Sequence, residues 1–375
     1  MKNLLMVADS EHDANMLYTV GMFVPDPFIY LRISGRQMVV MNDLELDRAK
    51  RDANRCQVVS LSQCQQKLRR AGRKKTGLAE VVRLLLRQHR VGKVFVPANF
   101  PLGLALELRN LKVKVKVKPG LFFPEREQKS ADEVKKISAA LMMAEVGLAE
   151  AIMALKSAKV GRNRRLLYRG APLTSEKLRS IIDTAIMQAN GLPANTIVAG
   201  GLQGCDPHER GHGPLKANEP IILDVFPRSQ KTGYFGDITR TVVKGKAKES
   251  VRKVYDAVLR GQKAAFQMMH AGTPTSQIHQ AVLEFFANEG YKTGRSNGRM
   301  QGFFHGTGHG LGLEIHESPR MGSNSTGVLK VGHVVTVEPG LYYPEIGGGV
   351  RLEDVALVTA KNPRNLTQFE KVLEV

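Results

Sequence analysis

Five side chains able to bind a metal ion, Asp224, Asp237, His309, Glu338 and Glu353, are scattered over 130 positions of this chain. Each stands in a segment that reads as a β-strand or a Gly-rich strand end: IILDVF, YFGDITRTVV, FFHGTGHGLGLEIHE, VVTVEPGLYYPE and GGGVRLEDVALV. An acid buried alone in such an apolar run is costly. The fold is therefore constrained to bring the five segments to one place, around a shared partner. Four carboxylates and one imidazole suit a pair of divalent cations, which need several hard oxygen donors and carboxylates that bridge.

A length of 375 residues points to two domains, and 42% hydrophobic with 24% charged residues is ordinary for a soluble globular protein. No run is expected to approach the roughly 18 apolar residues of a membrane span. The amino-terminal MKNLLMVADSEHD is too soon interrupted by acids to read as a signal peptide. Cys56, Cys64 and Cys205 lack metal-type spacing and form no evident disulfide framework, so a reducing compartment, the cytoplasm, is expected. The net charge is +20, and residues 1–125 hold 22 Lys/Arg against 11 Asp/Glu. The excess peaks in KLRRAGRKK (67–75), with six basic residues in nine. Such a run suits nucleic acid or another polyanion. No aromatic residue interleaves it to stack on bases, so it reads more simply as a solvated helix face and loop.

The first 125 residues alternate strand and helix patterns. FIYLRIS and RQMVVM (28–41) read as strands paired around Ser34-Gly35, and LAEVVRLLLRQH (78–89) as an amphipathic helix with Leu78, Val81, Val82, Leu85 and Leu86 on one face. KVKVKVK (112–118) alternates strictly and reads as an edge strand with a wet lysine face. FFPEREQKSADEVKKISAA reads as a linker entering a helix, where Ser130 and Glu133 have capping-box spacing. This places a boundary between domains 1–124 and 125–375. Further helices are expected at 174–190, 249–269 and 275–288, with the ligand-bearing strands between and after them. The fold class is α+β.

On a hairpin, Asp224 and Asp237 would face each other across the ladder, with Thr239 and Thr241 on the face of Asp237 as hydrogen-bond donors. The Gly-rich run offers His305, His309 and His316 as ligand and proton-transfer candidates. It fits no GxGxxG or GK[ST] register, so its glycines read as letting the backbone pass close to a site. Arg351 and Glu353, at i and i+2, would share a strand face, with Asp354 turned away as a structural acid.

Taken together, these motifs resemble the M24 metallopeptidase family, the pita-bread enzymes. The family pattern of an Asp, a second Asp before xTRT, a His in HGxGH, a Glu before PG and a final Glu is matched by Asp224, Asp237, His309, Glu338 and Glu353 over roughly residues 125–375. The spacing of Asp224 and Asp237 is somewhat wide, with the extra residues in the hairpin loop. NMLYTVGMFVPDPFIYL resembles the creatinase/prolidase-type amino-terminal domain, which implies the Xaa-Pro branch. The resemblance therefore implies a pita-bread catalytic domain at 125–375 behind a smaller α/β domain at 1–124. It also implies two divalent metals, Mn²⁺ foremost with Co²⁺ or Zn²⁺ as substitutes, bridged by Asp237 and Glu353.

It further implies that His208 (with His212 as rival), His305 and His316 contact substrate, and that Glu338 accepts a proton from the attacking water. Arg351 would order the site or, in a dipeptidase, hold a substrate carboxylate. The implied substrate is a peptide with proline second, and the implied assembly a homodimer without a membrane partner. The rival readings are a non-hydrolytic scaffold that binds nucleic acid or protein through its basic surface, and a metal-free amidinohydrolase. The intact ligand set speaks against both.

Overall fold

The computed structural model describes residues 2–375. The chain divides into two compact units, Met1–Arg126 and Glu127–Val375.

The first unit is a six-stranded sheet with helices on both faces. In chain order its elements are β1 (Leu4–Ala8), α1 (Ala14–Val20), β2 (Phe28–Ile33), β3 (Arg36–Met41), α2 (Leu46–Asp52), β4 (Gln57–Ser60), α3 (Leu61–Arg70), α4 (Leu78–Gln88), β5 (Lys93–Val96), α5 (Leu102–Asn110) and β6 (Lys114–Val117). The strand order is β4-β3-β2-β1-β5-β6. Ser34 and Gly35 both have positive φ, the requirement of a two-residue hairpin loop whose twist matches its strands. Helix α4 buries Val81, Val82, Leu85 and Leu86 of the stripe its periodicity predicts, with Ala79 buried beside them and Leu78, in the first turn, half-buried. Strand β6 is an edge; Val113 and Val115 are buried as alternation requires, while Val117 at the strand's end is exposed.

The second unit begins with α6 (Ala131–Ser157) and α7 (Ser175–Gln188), followed by β7 (Ile197–Gly200), β8 (Pro220–Val225) and β9 (Ile238–Val243). The pattern repeats with α8 (Glu249–Met268) and α9 (Thr275–Asn288). These lead into β10 (Gly308–Gly310), β11 (Glu317–Met321), β12 (Val334–Val337), β13 (Gly340–Tyr343), β14 (Gly348–Arg351), β15 (Asp354–Leu357) and β16 (Arg364–Asn365). Strands β7, β8 and β9 form one sheet and β11-β10-β12-β15-β16 another, while β13 and β14 pair as a ribbon. Helices α8 and α9 cover an apolar core of Val254, Val258, Phe286, Val335, Val337, Leu341, Val350 and Leu352.

The amino terminus of α6 carries a full capping box: the Glu133 N–H donates to Ser130 Oγ, and the Ser130 N–H to Glu133 Oε2. This helix corrects one expectation. It contains an 18-residue window of mean hydropathy 1.6, long and apolar enough by composition to cross a membrane. Two apolar stripes coincide there. Val134, Ile137, Leu141, Leu148 and Leu155 face inward at helical spacing, and Met142, Val146 and Met153 are exposed.

Candidate active site

Glu338 and Glu353 owe their positions to a pair of strand switches. Strands β12 and β15 pair in one sheet, with Val337 opposite Asp354; their neighbours β13 and β14 pair in the ribbon, with Gly340 opposite Arg351. Both acids stand in the gaps between, outside either ladder. Arg351 and Glu353 therefore do not alternate along one strand, as the spacing predicted, because the chain leaves the ribbon for the sheet at Leu352. The backbone in the gaps is satisfied elsewhere: the Glu338 N–H donates to Thr307 O at 2.8 Å, and the Glu353 N–H to Thr239 O at 3.0 Å.

Asp224 lies in β8 opposite Thr239, and Asp237 precedes β9. The two acids are thus offset by two positions rather than facing across the ladder. Gly236 makes this possible. A Cβ there would lie 2.5 Å from the Ala140 backbone of α6, so only glycine lets the hairpin lie directly on the helix. His309 sits in β10, between β11 and β12. A Cβ on neighbouring Gly308 would come within 1.9 Å of Thr336 O, which accounts for the glycines of this run.

These segments meet around a cavity of about 770 Å³, lined by Asp224, Asp237, His309, Glu338 and Glu353 together with His208, His305, His316 and Arg351. His212, the rival of His208, lines a different cavity. Ligand atoms of Asp237, His309 and Glu353 all lie within 4.8 Å of one another. His309 Nε2 is 3.7 Å from Asp237 Oδ2 and 3.3 Å from Glu338 Oε1, while its Nδ1 faces Gly310 O at 3.2 Å. A hydrogen on Nδ1 satisfies that carbonyl and turns the Nε2 lone pair to the acids.

Arg351 is buried; its Nη2 donates to Asp224 Oδ2 at 2.6 Å and its Nη1 to Tyr342 Oη at 3.0 Å. Tyr342 Oη meets His305 Nε2 at 2.8 Å, and His305 Nδ1 meets Gly306 O at 2.8 Å. Both nitrogens of His305 are thus engaged within the protein. His316 is more exposed, its ring 4.3 Å from that of His309.

Asp224, Asp237, Glu338 and Glu353 share this space with the buried Arg351, while Asp206 and Arg320 are exposed on the lining. Burial, then Glu353, Asp224 and Glu338, push the Asp237 carboxyl well above its ordinary range. Burial and the neighbouring Glu338 and Asp224 do the same to Glu353. Burial lifts Glu338 to about 7 despite Arg351. Burial also holds His305 and His309 down to about 3, neutral at any ordinary pH. Acids outnumber the two arginines of the lining, and Asp224 Oδ1 is buried without a hydrogen-bond partner. An orphaned carboxylate oxygen, a neutral imidazole and surplus acids fit divalent cations.

The family assignment follows from comparison with known proteins. A family model described as "Metallopeptidase family M24" matches residues 135–360. The chain belongs to metallopeptidase family M24. Enzymes of M24 use divalent metal ions, and the Asp237, His309 and Glu353 group is able to hold one. A Xaa-Pro dipeptidase of Pyrococcus furiosus is 33% identical over 192 residues, covering 50% of this chain and 52% of that one. The chain thus spans about half the length of the curated relatives it matches.

Among solved structures, an X-Pro aminopeptidase from Thermotoga maritima superposes with a TM-score of 0.83 at 20% identity, covering 100% of this chain and 98% of that one. A Xaa-Pro dipeptidase from Bacillus anthracis gives 0.82 at 21%, covering 100% and 95%. These likenesses bear on the fold: a pita-bread unit behind a smaller α/β unit.

Four neighbours of the acids escaped the sequence reading. Tyr342 links His305 to Arg351. Thr336 Oγ1 accepts the His309 N–H at 3.1 Å and faces Glu338 Oε1 at 3.4 Å. Arg240 is buried and donates to Glu353 O at 2.6 Å and Asp354 Oδ1 at 2.9 Å. Asp354, read as structural, is thereby held away from the cavity, with Asn365 and Lys371 also on its carboxylate. Arg320, exposed on the cavity lining, has no ion pair among the described residues. Of these, only Arg240 carried a usable signal: an arginine inside a fully apolar strand pattern demands buried partners.

Proposed function

We propose that this chain hydrolyses the peptide bond between an amino-terminal residue and proline, as an Xaa-Pro aminopeptidase or Xaa-Pro dipeptidase. The observation that carries the reading is the convergence of Asp224, Asp237, His309, Glu338 and Glu353, from five separated segments of an M24 chain, on one negatively charged cavity. We assign these five as ligands of two divalent metals, with Asp237 and Glu353 bridging; the oxygen-rich set favours Mn²⁺. When bound, the metals polarise the scissile carbonyl and lower the pKa of the attacking water.

The remaining work falls to side chains. Glu338, on the cavity lining beside His309 Nε2, is suited to accept the proton of that water and pass it to the leaving amine. His316, exposed on the lining, donates to the developing oxyanion, a contact worth about 2.7–4 kcal/mol. His208, also exposed on the lining, contacts substrate. His305 is committed to Tyr342 and Gly306, so it orders Tyr342 and Arg351 rather than meeting substrate. Arg351 in turn aligns Asp224, which leaves the exposed Arg320 to meet a dipeptide's carboxylate.

We assign residues 1–124 as the creatinase/prolidase-like domain, 125–375 as the catalytic domain, and the active form as a homodimer. Three free cysteines suit a reducing compartment such as the cytoplasm.

The deciding experiment is Mn²⁺-dependent hydrolysis of Ala-Pro against Ala-Pro-Ala-Ala, beside a metal-stripped control. Cleavage of both marks an aminopeptidase, and of the dipeptide alone a dipeptidase. Asp237→Ala and Glu353→Ala are expected to lose bound metal and activity together. Hydrolysis retained by a metal-free variant would overturn the assignment.

A further inference from the structure

We propose that the first unit carries a docking surface for the phosphate backbone of a nucleic-acid duplex, separate from the peptidase cavity. The 50 residues from 67 to 116 contain 14 Lys/Arg and 2 Asp/Glu, and so carry +12 of the chain's +20. Among the described residues none of these cations forms an ion pair. Sequence shows only the short run at 67–75; topology gathers the rest.

Strands β5 and β6 run parallel, with Lys93 opposite Lys114. Helix α4 leads into β5 and α5 into β6, so both helices deliver their carboxyl ends to the edge of the sheet where these strands begin. Arg87 and Arg109 lie in the last turns of the two helices, Arg90 and Lys112 in the connections, and Lys93 and Lys114 at the strand starts. All six are exposed. Helix α3 packs against α4, leaves β4 from its carboxyl end, and so carries Arg69 and Arg70 back toward the same edge.

A basic residue in a helix's last turn has an ordinary explanation in the helix dipole. That explanation does not reach the connections. Arg90 and Lys112 both have left-handed backbone, φ 56° and 64°. Just past a helix end this conformation favours glycine, and a side chain there is strained. The same costly choice of a cation at both crossovers is not required by the fold.

The surface favours phosphate over other polyanion chemistry. The one exposed ring between residues 67 and 116 is the His89 imidazole, since Phe95 and Phe100 are half-buried, so stacking on successive single-stranded bases lacks a platform. Of the exposed apolar residues here, Leu102 and Val117 lie at the far ends of α5 and β6 from Arg109 and Lys114, and Leu106 alone beside Arg109 is too little apolar surface to seat in a membrane.

The test is fluorescence anisotropy of the full chain with labelled 20-base-pair DNA and RNA duplexes, the matching single strand, and anionic phosphatidylglycerol vesicles. Four neutralised phosphates predict that duplex affinity falls roughly 10²-fold between 50 and 200 mM salt, with DNA and RNA compared for preference. Arg90→Gly with Lys112→Gly removes two charges while relieving backbone strain. It should flatten the salt slope by about 1.8 with the unfolding midpoint and peptidase activity undiminished. The proposal is overturned if no duplex is retained at 50 mM salt, or if the double variant binds with the parent's affinity and slope. Preference for single strands or vesicles over duplex overturns it as well.

Discussion

At Thr239 one hydroxyl does two things: it donates to Glu353 Oε2 at 2.8 Å and receives Arg351 Nε at 3.4 Å, fixing both. Thr239→Val keeps the shape and removes the donor. Metal affinity is expected to fall about 10–100-fold by isothermal titration, with the fold intact. The acids also set a pH dependence. Glu338, at about 7 in the fold against an ordinary 4.5, binds its proton more tightly folded than unfolded. Its contribution to the stability of the metal-free protein is therefore present below about 4.5 and lost as pH rises to about 7, with Asp237 and Glu353 acting in the same direction and His305 and His309, held neutral in the fold, in the opposite one.

Metal binding displaces these protons, so added Mn²⁺ should remove the decline. Thermal midpoints of the chelated chain and of Glu338→Gln at pH 5 and pH 8 isolate this share; the chain should lose stability relative to the variant over this window, and a difference that moves the other way would contradict it. At this scale the acids and histidines were legible, because charge inside an apolar run is conspicuous. Tyr342 and Thr336 were not, since a tyrosine or threonine in a buried strand looks like ordinary packing until its partner is known.

At the scale of elements, helices were the more legible. The stretches expected at 249–269 and 275–288 are Glu249–Met268 and Thr275–Asn288, because a 3.6-residue apolar period is a local signal. Strands were legible as strands but not in register. The breaks at Glu338 and Glu353 arise where two paired strands change sheets together, a tertiary event with no local mark beyond Pro339 and the glycines at 347–349. The same limit applies to Gly236, whose role depends on a helix almost a hundred residues earlier in the chain. Gly236→Ala would drive a methyl group into the Ala140 backbone, which cannot move aside as a side chain would. The expected cost is about 1–3 kcal/mol by denaturant titration, accompanied by weaker metal binding as Asp237 shifts with its neighbour.

At the scale of the whole molecule, every acid of the site belongs to the second unit, Glu127–Val375. Metals at 100 times their dissociation constant stabilise the state that binds them by about 2.7 kcal/mol. Calorimetry should show Mn²⁺ raising the transition of this unit by roughly 5–10 °C while the transition of the first unit stays in place. Uniform shifts of both would contradict a site confined to one unit. The first unit carries +12 of the net +20 in a third of the chain, and the gathering of this charge along one edge follows from strand direction, which no local pattern announces.

The order in which the ligands occur along the chain has a consequence for biosynthesis. Asp224 and Asp237 leave the ribosome more than a hundred residues ahead of Glu353. At about 5–20 residues per second, that interval is roughly 6–20 s. Throughout it the nascent hairpin has two acids destined for burial and none of the later partners that make their burial tolerable. A chain released before Glu353 cannot close this centre, because both a ligand and the acceptor of the Thr239 hydroxyl are missing from it.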